Sequence, residues 1–455
     1  MGRVHFIAIG GAVMHNLAIA LKKKGYAVTG SDDEIFEPSR SRLAAHGLLP
    51  LSFGWDPSRI TVDIDTVILG MHARADNPEL ARARELGLKI YSFPEYLFEQ
   101  TKNKRRIVVA GSHGKTTTTA MIMHVLKTCG RNFDYMVGSS IDGFDTMTGL
   151  SESSELAVFE GDEYLTSPID RRPKFHLYKP DIAIITGIAW DHMNVFPTFD
   201  NYLEQFRIFV STIEEGGTLI YFSGDKEVKS IAENARPDIR KIPYTTHGYF
   251  QNKTGFYGAT HNRVVPLKIF GEHNLQNLSA AREACFLAGI TEDEFYEAIR
   301  TFSGTSRRLQ LLKSNEKGDV FLDFAHAPSK VKATLNAVKE KFQSSGIIAC
   351  FELHTFSSLS KEFLPQYAGT LSGASRAFVY FNPHAVEMKK LPPLSKDVVA
   401  SAFGGDNVEV YDNPDEMFSR VKAVKAEKPV FLLMSSGDFG GKDLAALSDE
   451  LLSNK

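Results

Sequence analysis

Cysteine is scarce in this chain of 455 residues: there are three, at positions 129, 285 and 350, and no two form a CxxC pair. Such spacing excludes a disulfide framework and a zinc ribbon, and it fits a chain that works in the reducing cytoplasm. Long apolar runs are missing as well. No uninterrupted stretch of about twenty apolar residues occurs, so no membrane-spanning helix is expected. The opening MGRVHFIAIGGAV has no long apolar core behind a basic segment and reads as a first strand, not a signal peptide. Nor is there a charge excess of one sign. The formal net charge is −3, so no global basic field points to nucleic acid or a membrane as partner. Low-complexity tracts and short-period repeats are absent too. What is present is ordinary for globular chains, 43% hydrophobic and 24% charged residues, in a length that allows several domains.

Short apolar runs alternate with helical patterns almost from end to end, the mark of parallel α/β units. Three blocks are expected: 1–102, 103–303 and 304–455, separated by the polar EQTKNKRR, read as a linker, and by the Gly/Ser-rich SGTSRR. The fold class is therefore α/β, with three consecutive α/β domains: Rossmann-like, P-loop ATPase-like and Rossmann-like again. In the first block RVHFIAIGG, YAVTGSD and TVILG read as strands, and NLAIALKKKG and NPELARARELG as helices. The second has strands IVVAG, LAVFEG and DIAIITG, and helices TTTTAMIMHVLKTCG and YLEQFRIFVSTI. In the third, DVFLDFAH, GIIACFE, AFVYFN, VEVY and PVFLLMSSG are strands.

The stretch VVAGSHGKTTTTA, from Val108, carries the strongest signal. A strand that feeds a glycine turn and then a helix presents backbone N–H groups and a helix N-terminus to an anion. Gly111 and Gly114 let the backbone approach phosphates, Lys115 can reach the β/γ-phosphates, and the Thr116 hydroxyl can ligate Mg²⁺. Val109 stands where the strict pattern has its first glycine, so the loop is a shorter variant. ATP and Mg²⁺ are the cofactors this implies. Glu160 and His192 follow later strands and, with Thr116, form the candidate metal set. In the first block AIGGAVMHNLA is a second glycine turn, and Asp32 in TGSD falls where a ribose-binding acid belongs. A full GxGxxG is absent. The turn points to a nucleotide diphosphate, and an NAD(P)-binding oxidoreductase is the reading of another class.

These motifs, taken in order along the chain, resemble the Mur ligases, ATP-dependent enzymes that build peptide onto UDP-N-acetylmuramate. GSHGKTTTT is similar to their ATP loop, EGDEY and DHMNVFPT to their metal segments, GEHNLQNLSAA to their adenine-contacting motif, SRRL to their hinge arginine, and DFAHAP to a third-domain motif. The resemblance implies a role in ATP binding for Gly111, Ser112, His113, Gly114, Lys115, Thr116, Thr117, Asn274, Asn277, Arg308, Asp323 and His326. Lys115, Glu160, His192, Arg308 and Asp323 become the catalytic set. Gly10, Gly11, Ala12, Met14, Ser31, Asp32 and His72 become the UDP-sugar site. Three positions depart from the family pattern: Gly187, Leu322 and Ala327.

Several family members carry a carbamylated lysine fourteen residues after the metal histidine; here that position is Phe206. The resemblance is thereby narrowed to the branch without it. DEYLTSPIDRRPKFHLYKP resembles members that attach the tripeptide L-Ala-γ-D-Glu-meso-diaminopimelate, and makes Arg171, Arg172 and Lys174 candidate ligands for its carboxylates. The expected reaction is an ADP-forming amide ligation, through an acyl phosphate, of UDP-N-acetylmuramate to that tripeptide. L-alanine is the alternative acceptor.

Overall fold

The computed structural model of the chain describes residues 2–190, 193, 195–252, 255–260, 262–343 and 345–453. The described chain is α/β and falls into two compact units, one of 1–188, 199–245 and 277–299, the other of 189–198, 246–276 and 300–455.

The first unit holds two parallel sheets. One has the order Ala27–Ser31, Arg3–Ile7, Thr66–Leu69, Lys89–Ser92, with every pair parallel. The larger has the order Arg240–Tyr244, Thr218–Phe222, Ile182–Ile185, Arg105–Ala110, Leu156–Glu160, Asp134–Met136, Thr148–Gly149, and only its last pair is antiparallel. Its middle strands carry continuous apolar runs, IVVA and IAII, and are buried on both faces. The strand Arg105–Ala110 lies between Leu156–Glu160 and Ile182–Ile185, where the winding direction reverses. At such a switch point the loops leaving neighbouring strands diverge and open a crevice at the carboxyl edge. The glycine-lysine loop leaves the sheet there.

The second unit contains a three-stranded antiparallel meander, Tyr249–Asn252, Gly255–Ala259 and Val264–Leu267. It also contains a six-stranded sheet ordered Gln310–Asn315, Gly318–Asp323, Val430–Met434, Ile347–Leu353, Arg376–Phe381, Val408–Tyr411, parallel except for its first pair. No helix among the described residues is long and apolar enough to cross a membrane.

The expected strands and helices of all three blocks form. The linker reading needs correction. Helix Phe93–Thr101 takes the first three residues of EQTKNKRR, and the next strand begins at Arg105. The helix starts on a capping box, with Ser92 and Glu95 each satisfying the other's backbone N–H. Arg106 is 3% exposed, and its guanidinium donates to the carbonyls of Thr101, Lys102, Lys104, Tyr178 and Lys179. That fan of carbonyls satisfies the donors, Asp181 at 3.2 Å and Glu214 at 3.4 Å pair the charge, and together they lock the joint between the two sheets of this unit. The antiparallel meander is an element the sequence reading did not anticipate.

Candidate active site

Gly111 has φ +133° and Gly114 φ +82°, conformations that favour glycine. Space demands glycine too. A Cβ on Gly111 would lie 2.1 Å from Thr186 Oγ1, and one on Gly114 would lie 2.2 Å from Asn277 Oδ1. The loop is thus pressed against the end of strand Ile182–Ile185 and against the asparagine of the NLQN segment. Helix Lys115–Thr128 begins directly after Gly114. Lys115 Nζ donates to the Gly111 carbonyl at 2.5 Å and pairs with Glu163 Oε2 at 2.7 Å. Burial alone would lower the Lys115 pKa, but Glu163, Asp162 and Glu160 together raise it. The lysine is held charged.

The Thr116 hydroxyl donates to Glu160 Oε1 at 2.8 Å, and Glu160 Oε2 accepts from the backbone N–H of Gly138 at 2.7 Å. A hydroxyl and a carboxylate, both hard oxygen donors at the start of a phosphate loop, match what Mg²⁺ prefers, so these two residues fit the metal. His192 lies outside the described residues. Among the described residues no group of three or more His, Cys, Asp or Glu could hold a metal. Ser112 is tied by its N–H to Gly187 O and by its hydroxyl to Tyr202, both at 2.8 Å.

Gly187 departs from the family pattern, and the structure gives a reason. Its φ is +148°, and a Cβ there would meet His113 Nε2 at 3.2 Å. The loop histidine occupies the space a larger residue would need. Leu322 is buried in the sheet of the second unit beside Leu433. Ala327 caps the helix Pro328–Lys341 without a side-chain bond. Phe206 is fully buried against Phe175 and Tyr202, a place for an aromatic ring and not for a carbamate.

In the second unit, Arg308 lays its guanidinium over Phe324, 4.9 Å from the ring centroid. The preceding Arg307 is bound to the Ser435 and Gly437 carbonyls. Asp323 is buried and accepts from Leu309 N (2.7 Å), Ala325 N (2.8 Å) and Thr334 Oγ1 (3.1 Å). Its carboxylate holds the turns around Arg308 and His326. His326 Nδ1 lies 3.0 Å from Phe324 O, and Asn274 donates to Phe270 O at 2.9 Å. Burial lowers the pKa of neighbouring His273, against the pull of Asp323. Glu352, next to last in strand Ile347–Leu353, accepts at its carboxylate from Phe439 N (2.8 Å) and the Ser435 hydroxyl.

The first sheet gathers the second glycine turn. Gly10 N donates to Asp32 Oδ2 at 2.7 Å, Gly11 opens the helix Ala12–Lys23, and a Cβ on Gly11 would lie 3.7 Å from His72 Nδ1. Gly10, Gly11, Asp32 and His72 therefore converge beside a helix N-terminus, the arrangement that favours a bound diphosphate. Burial pushes the Asp32 carboxyl up to about 6. Ser31 is fully buried with its hydroxyl on Glu79, Met14 is buried with its Cγ 3.3 Å from where a Cβ on Gly11 would stand, and Ala12 is exposed.

The basic segment is locally neutralised. Arg172 forks onto Asp170, with Nη2 to Oδ2 at 2.6 Å, and reaches Glu95 at 3.5 Å. Lys174 pairs with Asp162 at 2.5 Å. Arg171 is exposed.

Three family models match the chain in succession: "Mur ligase family, catalytic domain" over 3–105, "Mur ligase middle domain" over 109–285, and "Mur ligase, glutamate ligase domain" over 307–437. The UDP-N-acetylmuramate–L-alanine ligase of Lactiplantibacillus plantarum is 31% identical over 448 residues, 95% of each chain. The crystal structure of a UDP-N-acetylmuramate–alanine ligase from Thermotoga maritima superposes with TM-score 0.71 at 22% identity, over 99% of this chain and 98% of that one. That of a UDP-N-acetylmuramate:L-alanyl-γ-D-glutamyl-meso-diaminopimelate ligase from Neisseria meningitidis superposes with TM-score 0.59 at 26% identity, over 66% of this chain and 98% of that one.

Proposed function

The chain belongs to the Mur ligase family, the ATP- and Mg²⁺-dependent, ADP-forming amide ligases of peptidoglycan synthesis, and from that premise we propose that it joins L-alanine to UDP-N-acetylmuramate. The observation that carries the ligase chemistry is the phosphate loop at the switch point, with Lys115 beside it and Thr116 on Glu160. The 31% identity to an L-alanine ligase over 95% of both chains supports the choice of acceptor. So does the state of Arg172 and Lys174, whose charges are already taken by Asp170, Glu95 and Asp162.

In this reading the muramyl carboxylate attacks the terminal phosphorus of ATP, giving an acyl phosphate and ADP. The amine then attacks the acyl carbon, phosphate leaves, and the amine gives up a proton. Thr116 and Glu160 would hold Mg²⁺, which would supply charge neutralisation for the phosphates, and Lys115 adds a fixed positive charge where negative charge accumulates. The glycine turn of Gly10 and Gly11, with Asp32 and His72, receives the UDP group.

The likeness to the Neisseria enzyme, at 26% identity, favours a second reading in which the acceptor is the tripeptide. One assay separates the two: phosphate release from ATP with UDP-N-acetylmuramate and either L-alanine or the tripeptide. L-alanine is expected to be the better acceptor. Arg172→Ala is then expected to leave the L-alanine KM within about fivefold, since a half-exposed ion pair is worth ~0–1 kcal/mol. A marked preference for the tripeptide, with its KM raised about tenfold by Arg172→Ala, would transfer the assignment to the second reading.

A further inference from the structure

Glu160 ends a strand and Glu163 lies three residues beyond it, and each engages one of the two residues that open the helix after the phosphate loop. Glu160 takes the Thr116 hydroxyl, and Glu163 takes the Lys115 ammonium. Only the first of these acids has a place in metal binding. The second is 1% exposed. Its Oε1 accepts from Tyr202 Oη at 3.1 Å, and Tyr202 Oη is 2.8 Å from Ser112 Oγ. Lys115 returns to the Gly111 carbonyl at 2.5 Å. The path Gly111–Lys115–Glu163–Tyr202–Ser112 therefore closes on the phosphate loop itself and fixes its shape with an anion of the protein's own.

We propose that Glu163 is a positioning residue that holds Lys115 in the nucleotide-free state, so that binding of the nucleoside polyphosphate is an exchange of counter-ions. Lys115 turns from the carboxylate of Glu163 to phosphate oxygens. The carboxylate left behind is buried and loses part of its compensation, which opposes nucleotide binding. Glutamine keeps the shape and the acceptor for Tyr202 but removes the charge that competes for Lys115. The inference depends on the phosphate loop and not on which acceptor is used, so a failed acceptor assay leaves it standing.

Titration calorimetry with ADP and Mg²⁺, without UDP-sugar, tests it. E163Q is expected to bind ADP about tenfold tighter than wild type, because close buried charge pairs couple at this scale or above. In a K115A background the same substitution is expected to change the affinity by no more than about twofold, since the lysine that is competed for is gone. If E163Q is too unstable to titrate, E163D keeps the charge but withdraws it from the lysine and is expected to tighten ADP in the same direction. Weaker or unchanged binding in the variant that folds would overturn the proposal. So would an equal gain in the K115A background, which would mark Glu163 as a general repulsive charge.

Discussion

Replacing Lys115 with alanine is expected to abolish phosphate release while the UDP-sugar still binds. The lysine adds a fixed charge at the transferring phosphoryl group, where such contacts are worth at least ~3 kcal/mol of barrier, or upwards of about a hundredfold in rate. The residues assigned to UDP, Gly10, Gly11, Asp32 and His72, belong to the other sheet of the same unit, so sugar affinity has no reason to follow. Stability is affected as well. The substitution leaves Glu163 buried without its ammonium partner, and breaking a buried pair from one side costs about 3–5 kcal/mol. The K115A/E163Q double variant should recover melting temperature but not turnover, which separates the catalytic loss from the folding loss. Turnover of the single variant within about tenfold of wild type would sink the role given to Lys115.

The strand, loop and helix around Lys115 were legible because each element needs residue types that few others can replace. Gly111 and Gly114 adopt positive φ under close packing, and Lys115 with Thr116 has to stand at the first helical positions. The alternation of apolar runs was equally readable, since a parallel strand covered on both faces has to be continuously apolar. The meander of Tyr249–Leu267 was not. Its strands are four or five residues long and are interrupted by Gly and Asn, so neither period stands out.

Charge was the poorer guide. EQTKNKRR looked like a solvated linker because composition cannot see the five carbonyls that converge on Arg106. DEYLTSPIDRRPKFHLYKP was read as offering Arg171, Arg172 and Lys174 to the carboxylates of a peptide because only its cations were weighed. Asp162 and Asp170 in that same stretch neutralise Lys174 and Arg172. The acids of EGDEY show the same limit. Sequence order distinguishes Glu160 from Glu163 by three positions, but only the register of the strand end against the loop shows that one faces Thr116 and the other Lys115.

Glu79 presents the largest stability effect expected away from the phosphate loop. It sits in the first turn of helix Pro78–Glu85, capped by Asn77, where the helix dipole favours a carboxylate. Its side chain is fully buried, accepts from Asp56 N at 2.8 Å and from the Ser31 hydroxyl, and lies 3.6 Å from His5 and 3.5 Å from Arg59. Burial pushes its carboxyl pKa up, but the nearby His5 ring and the hydrogen bonds from the Ser31 hydroxyl and Asp56 N outweigh that and hold it below the ordinary carboxylate value. A depressed folded value means that the carboxylate stabilises fully above about pH 4.5 and loses its contribution as the pH falls through the folded value. Glu79→Ala should therefore cost about 3–5 kcal/mol at pH 7, read as a lower urea midpoint, since His5 and Arg59 are left without their acid. Because Ser31 immediately precedes Asp32, UDP-sugar affinity should fall as well. Glu79→Gln should be destabilised at pH 7 and should approach wild type as the pH falls through the depressed folded value, below which the wild-type carboxyl is also neutral. A Glu79→Gln protein within about 1 kcal/mol of wild type at pH 7, or a gap that widens on acidification, would show that this buried acid does not anchor the turn.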